Sequence, residues 1–263
     1  MPACGPWLLS GKIGPMTNDE EYIPQSAMSI HAHPDDQDFS VSGTLAKWAR
    51  AGCKITSVII TSGDSGSNDP SKDGKYKPEL ALLREDEQRA ANKVLGVEET
   101  VFLRYPDGEL VASVALRKDL TRVIRRYKPE VVLIGDATAV FYGNDYINHP
   151  DHRAGAEAAM YAVFPSAGTR MIFPDLLGEG LDPHNVKRLY IHGNEKPDTW
   201  VDISDTLATK IVALQKHVSQ IDTHDVDKWM HEWAEEEGKA KGLKYAEAYR
   251  VMILQRDEEE PGG

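Results

Sequence analysis

Short runs of apolar, β-branched residues alternate along the chain with stretches in which apolar residues recur every three or four positions. The clearest run is 54–61, Lys-Ile-Thr-Ser-Val-Ile-Ile-Thr, bounded by Gly63, and it predicts a buried strand. Similar runs predict strands at 26–32, 100–103, 130–135, 186–192 and 200–203. Between them, helical spacing predicts a helix at 40–51 closed by Gly52 and a charged one at 78–95, opened by Pro78 and closed by Gly96. A third lies at 116–127, ended by Pro129, and a fourth at 153–163. In the third, Leu116, Leu120, Val123, Ile124 and Tyr127 fall on one face. The C-terminal third reads as helices at 205–219, 226–237 and 243–255.

Strands that are apolar almost throughout must be covered on both faces. Their alternation with helices predicts an α/β fold: a Rossmann-like three-layer sandwich with a mostly parallel sheet and C-terminal helices. At 263 residues the chain suits one domain, here expected over 26–255. Residues 1–25, with scattered Gly and Pro, read as an N-terminal extension, and 256–263 as an acidic tail. In such folds the ligand crevice lies beyond the carboxyl ends of the strands. The segments 33–36, 63–66 and 135–152 all follow predicted strands.

Composition narrows the partners. A hydrophobic content of 41% and a charged content of 27% are those of an ordinary globular protein. The formal charge of −12 argues against nucleic acid or an anionic membrane as the main partner. No apolar run reaches the ~18 residues of a membrane span, and Trp7-Leu8-Leu9 lacks the flanks of a signal peptide. With only Cys4 and Cys53, a structural disulfide is not expected, and a reducing, cytoplasmic location is.

Two clusters carry the chemistry: His33-Pro34-Asp35-Asp36 after the first strand, and Asn148-His149-Pro150-Asp151-His152 before a helix. His33 and Asp36, three apart in a turn stiffened by Pro34, can face one point. Pro150 suits a first helical turn and brings His152 near that helix's N-terminus. Two histidines and one carboxylate leave coordination positions open, as catalytic zinc requires, and ferrous iron or cobalt suits the same set. Asp35 and His149 then supply acid–base groups. Either motif alone also fits an ordinary helix cap; the pair points to a hydrolase.

These motifs resemble those of the LmbE-like or PIG-L family of zinc-dependent de-N-acetylases. Further matches over about 28–165 are 61–66 (Thr-Ser-Gly-Asp-Ser-Gly), the helix bearing Arg84-Glu85-Asp86-Glu87, Leu95-Gly96, Arg104-Tyr105-Pro106-Asp107-Gly108 and Lys128-Pro129-Glu130-Val131-Val132. The resemblance implies His33, Asp36 and His152 as metal ligands and Asp35 as general base. It implies His149 as the group that stabilises the tetrahedral intermediate or protonates the leaving amine, most useful as an imidazolium, with Asp151 orienting it. Arg84 matches a residue that contacts substrate; Asp64 and Asp107 are further candidates for the pocket. One departure is Gln37-Asp38, where the motif has any residue and then Glu.

The implied activity is removal of an acetyl group from an N-acetylglucosamine-type sugar or its conjugate, by an enzyme expected to be a homo-oligomer. The alternatives are an amidase for a larger acyl group, such as a mycothiol-type conjugate, and an inactive sugar-binding homologue. Other features read more plainly. The loop 61–66 lacks the Lys of a phosphate-binding P-loop. His217, His224 and His231 read as surface or core-edge residues, His31 as packing, and Trp229 with Trp233 as a core or subunit face.

Overall fold

The computed structural model describes residues 22–255 apart from residue 222. The expected extension up to residue 21, with Cys4, the tail 256–263 and the side chain of His224 lie outside the described residues.

Strand β1 (Ser26–His31) enters the core and ends at the first motif. A short helix α1 (Asp36–Ser40) and then α2 (Ser42–Arg50) follow, where the sequence predicts one helix. Val41, at φ −128°, breaks the run between them. Strand β2 (Lys54–Thr61), helix α3 (Lys77–Leu95), strand β3 (Glu99–Tyr105), helix α4 (Val114–Tyr127) and strand β4 (Val131–Gly135) continue the alternation. Gly96, at φ +81°, closes α3 in the left-handed conformation expected there. Two short strands, β5 (Phe141–Tyr142) and β6 (Tyr146–Ile147), pair as a hairpin that leads into the second motif.

Helix α5 (Pro150–Tyr161) starts three residues before its predicted position, because Pro150 occupies its first turn. A four-residue helix α6 (Asp175–Gly178), strands β7 (Arg188–His192) and β8 (Thr199–Asp202), helices α7 (Leu207–Leu214) and α8 (Thr223–Lys239) and strand β9 (Ala246–Ile253) complete the order.

The main sheet runs β3-β2-β1-β4-β7-β9-β8. The first five strands are parallel, and β9 pairs antiparallel to both β7 and β8. The connection order reverses between β1 and β4, which puts the crevice of a doubly wound sheet beyond their carboxyl ends. Both sequence motifs lie there. One face of the sheet buries Leu45, Trp48, Leu207, Leu214 and Met230, and the other buries Leu116, Leu120, Ile124, Ala158 and Ala159. No helix among the described residues is long and apolar enough to cross a membrane.

The strand β9 corrects the helix predicted at 243–255. Gly242, at φ +66°, ends the preceding turn, and Tyr249, Val251 and Ile253 favour extended backbone. Placed between two strands, β9 has its backbone groups paired on both sides, which a helix on the surface would not supply. Its Glu247 accepts the N–H groups of Gly43 and Thr44 (2.9 and 2.8 Å) at the start of α2, and Lys210 Nζ lies 2.6 Å away. This buried carboxylate thus satisfies donors that the helix leaves unpaired. The predicted helix 205–219 shortens to α7, and a tight turn from Gln215 to Gln220 replaces its end.

Tyr249 is fully buried, and its hydroxyl donates to Thr44 Oγ1 (2.8 Å). Tyr249→Ala is expected to cost about 3–5 kcal/mol in urea unfolding. A loss below about 1 kcal/mol would place residue 249 outside the core and contradict β9 as an interior strand.

Candidate metal centre and active site

The first motif turns sharply out of β1. Asp35 has φ 96° and ψ −32°, a left-handed conformation that costs a non-glycine residue about 1–3 kcal/mol unless its surroundings hold it. Its N–H donates to Gln88 Oε1 (2.9 Å), and Arg84 donates to its carboxylate (3.2 Å) and to Pro34 O (2.7 Å). Arg84 also donates to Gly63 O (2.8 Å). A Cβ at Gly63 would lie 2.3 Å from that guanidinium, so only glycine permits the contact.

Donor atoms of three residues, with both oxygens of Asp36 taking part, meet where the turn faces the start of α5. His33 Nδ1 lies 3.2 Å from His152 Nε2, His152 Nε2 lies 3.0 Å from Asp36 Oδ1, and Asp36 Oδ2 lies 3.4 Å from His33 Nδ1. Donors about 2.0–2.1 Å from a tetrahedral ion stand about 3.3 Å apart, and the His33–His152 and His152–Asp36 spacings suit such an ion. His149 offers a third nitrogen: one ring nitrogen from each of His33, His149 and His152 lies within 4.8 Å of the other two.

The outer contacts fit the same reading. A ligating histidine donates its other ring N–H to a carboxylate or carbonyl, which fixes its tautomer. His33 Nε2 lies 3.0 Å from Asp107 Oδ1 and 3.4 Å from Asp151 Oδ2, and His152 Nδ1 lies 3.3 Å from Asn148 Oδ1. Burial works against a charge on His33, yet Asp36, Asp107 and Asp151 raise its pKa far above the ordinary value. Burial likewise opposes ionisation of Asp36, but His152 and His33 hold its carboxyl well below the usual range. Three carboxylates around two imidazoles form a potential well that a divalent cation suits.

Asp35 stands beside this cluster without belonging to it. Burial lifts its pKa to about 6, with Arg84 pulling the other way. A carboxylate titrating there is basic enough to accept a proton near neutrality and remains ionised to do so.

His149 departs from the expectation. Its Nδ1 accepts the N–H of Asp151 (3.2 Å), which assigns its proton to Nε2. The Asp151 carboxylate does not reach it: that group accepts Gly108 N–H (2.8 Å) and Leu110 N–H (3.1 Å) and faces His33. Burial lowers the His149 pKa, and His33 and His152 lower it further. The group that holds His149 is thus the backbone N–H of Asp151 and not its carboxylate. Asp151 orients His33 with its side chain and His149 with its backbone.

The three expected substrate contacts fall differently. Arg84 is buried, with its terminal amino groups bonded to the turn backbone and Asp35, so it braces the first motif. Asp107 is buried, and its other oxygen accepts Ser65 N–H (2.7 Å); it faces a ligand rather than the opening. Asp64 lies on the loop after β2, half-buried and 3.7 Å from Lys77. His31 packs as expected, stacked on His192 with ring centroids 5.1 Å apart, and burial pushes it down to about 3.

Gln88, Asn148 and His217 were not foreseen as site residues. One signal was present for the first: Arg84, Gln88 and Asn92 recur every four positions and make a buried polar stripe on α3.

A mostly parallel α/β sheet with such a centre at its switch point suits a metal-dependent enzyme. Residues 28–163 match the family described as PIG-L: GlcNAc-PI de-N-acetylase, and the chain belongs to that family of amide hydrolases. Diacetylchitobiose deacetylase of Thermococcus kodakarensis is 32% identical over 251 residues, covering 93% of this chain and 88% of that protein. The 1D-myo-inositol 2-acetamido-2-deoxy-alpha-D-glucopyranoside deacetylase of Actinosynnema mirum is 26% identical over 236 residues, 75% of this chain and 81% of that one. Among solved structures, N,N'-diacetylchitobiose deacetylase from Pyrococcus horikoshii, in complex with its inhibitor MPG, superposes with a TM-score of 0.79. It is 30% identical, covering 88% of this chain and 84% of that chain.

If Asp107 orients a metal ligand, Asp107→Ala should weaken metal affinity about 10–100-fold, measured by competition with a chelator. Unchanged metal affinity with a raised KM would return Asp107 to a substrate role.

Proposed function

We propose that this chain is a zinc-dependent deacetylase that removes the acetyl group from the nitrogen of an N-acetylglucosamine-type sugar or its conjugate. The observation that carries this reading is the triangle of His33, Asp36 and His152 donors with an unligated, half-buried Asp35 beside it. Similarity to the diacetylchitobiose and acetamido-glucopyranoside deacetylases supports the amino-sugar substrate. The N/O donor set suits zinc, with ferrous iron and cobalt as substitutes. The low cysteine count agrees with a cytoplasmic location.

His33, Asp36 and His152 would hold the ion, which when bound supplies Lewis acidity toward water and the amide carbonyl. Asp35 accepts the proton of the attacking water as its oxygen bonds to the carbonyl carbon. The Nε2–H of neutral His149 donates to the oxyanion that develops on the carbonyl oxygen; such donors act mainly in the transition state. Asp35, now protonated, is the nearest acid for the departing nitrogen, and its return to the carboxylate completes the cycle as the C–N bond breaks. Acetate and a free amine leave. Arg84 keeps the Asp35 carboxylate aimed throughout, because its own position is fixed by Pro34 and Gly63 carbonyls.

Acetate release from N-acetylglucosamine, its disaccharide and an inositol conjugate tests the substrate class. Asp35→Asn should keep one metal per chain and lose about 10²–10⁴-fold in kcat. A rate within about tenfold of wild type would assign the base elsewhere.

A further inference from the structure

His217 lies in the turn after α7, wholly buried, and its Nε2 sits 2.9 Å from Asp38 Oδ2. The turn is pinned to α3, because Glu87 accepts Ser219 N–H (2.8 Å) and its hydroxyl (2.7 Å). Asp38 Oδ2 also accepts Gln88 Nε2 (2.8 Å), and Gln88 Oε1 accepts the N–H of Asp35 (2.9 Å). A chain of three hydrogen bonds thus runs from His217 to the backbone of the residue proposed as base. His217 Nδ1 and Asp38 Oδ1 have no hydrogen-bond partner, so the histidine makes its one side-chain bond here. A fully buried histidine and carboxylate facing each other are costly to desolvate unless they are paired.

We propose that His217 is a positioning residue for Asp35, acting through Asp38 and the amide orientation of Gln88. This rests on the reading of Asp35 as general base. The physical step is the two-sidedness of the Gln88 amide, which donates from nitrogen and accepts at oxygen. Asp38, an acceptor only, fixes the nitrogen toward itself and leaves the oxygen for Asp35 N–H. Without His217, the Asp38 carboxylate loses a donor and can swing away, which leaves the Gln88 amide nitrogen only its longer bond to Asn92 Oδ1 (3.2 Å) and lets the amide turn. Its NH₂ would then face Asp35 N–H, two donors in opposition. Asp35 holds φ 96° only because its surroundings secure that conformation, and its carboxylate moves when they do not. Displacement of a reacting group by about 1 Å costs on the order of 10²-fold in rate.

The test compares His217→Gln, His217→Asn and His217→Leu in the full-length, zinc-loaded protein. Each is measured by kcat, KM and bound metal on an N-acetylglucosamine substrate. The Nε2 of Gln reaches about where that of His does, and the Nδ2 of Asn falls short; both keep a polar group beside the buried Asp38 carboxylate, which Leu does not. The expected result is a kcat loss of about tenfold or more for Leu and Asn, with KM within about twofold and metal unchanged, and recovery of most of it by Gln. In an Asp35→Asn background, His217→Leu, or His217→Asn if the Leu protein does not fold, should cost less than about twofold, since the group it positions is gone. Equal losses in both backgrounds, a loss that follows metal content or KM, or full rate in the Asn variant would overturn the role. Wild-type rate in Asp35→Asn alone would remove Asp35 as base, and the proposal would fall with that reading.

Discussion

His33, Asp36 and His152, from two distant segments, bring donor atoms to 3.0–3.4 Å from one another, and the remainder of the site exists to keep them so. Left to themselves, two imidazoles and a carboxylate drawn from a turn and a helix start would relax apart. Here each is tied down. His33 is held through Asp107 and Asp151, His152 through Asn148, and Asp36 by the backbone N–H of His33 (2.8 Å). The carboxylates have anchors of their own in Ser65, Gly108 and Leu110 N–H groups. The segments that follow β1, β2, β3 and β4 all contribute, so this cluster is a property of the fold and not of either motif.

The proposed base and oxyanion donor follow from the same constraint. Asp35 sits next to a ligand in sequence but is turned away from the cluster by its left-handed backbone, which Gln88 and Arg84 secure. His149 begins the helix that presents His152, and the first turn of that helix sets its tautomer through Asp151 N–H. Ligand, base and donor are thus aimed by the two short elements that follow the motifs.

The motifs themselves were legible in the sequence because their geometry is local: a Pro-stiffened turn and a Pro-initiated helix place residues three apart at one point. The alternation of apolar runs with helical spacing likewise announced the parallel sheet. What stayed hidden is non-local. The partnership of Asp107 with His33 spans a turn and a strand end, and no spacing marks it. His217 looked like a scattered helix residue, because only folding brings its turn against α3. The partner of His149 was misjudged for a related reason: an acidic neighbour in sequence need not face it, and here the Asp151 carboxylate accepts the N–H groups of Gly108 and Leu110. At 243–255 helical spacing and strand propensity coexist, and pairing on both sides by β7 and β8 decided for the strand.

The central claim is that His33, Asp36 and His152 together hold one catalytic ion. Titrating zinc into chelator-treated protein while following acetate release from an N-acetylglucosaminide tests it most directly. The account predicts no turnover in the stripped protein and a linear rise that ends at about one equivalent per chain. Turnover that survives complete metal removal would contradict it.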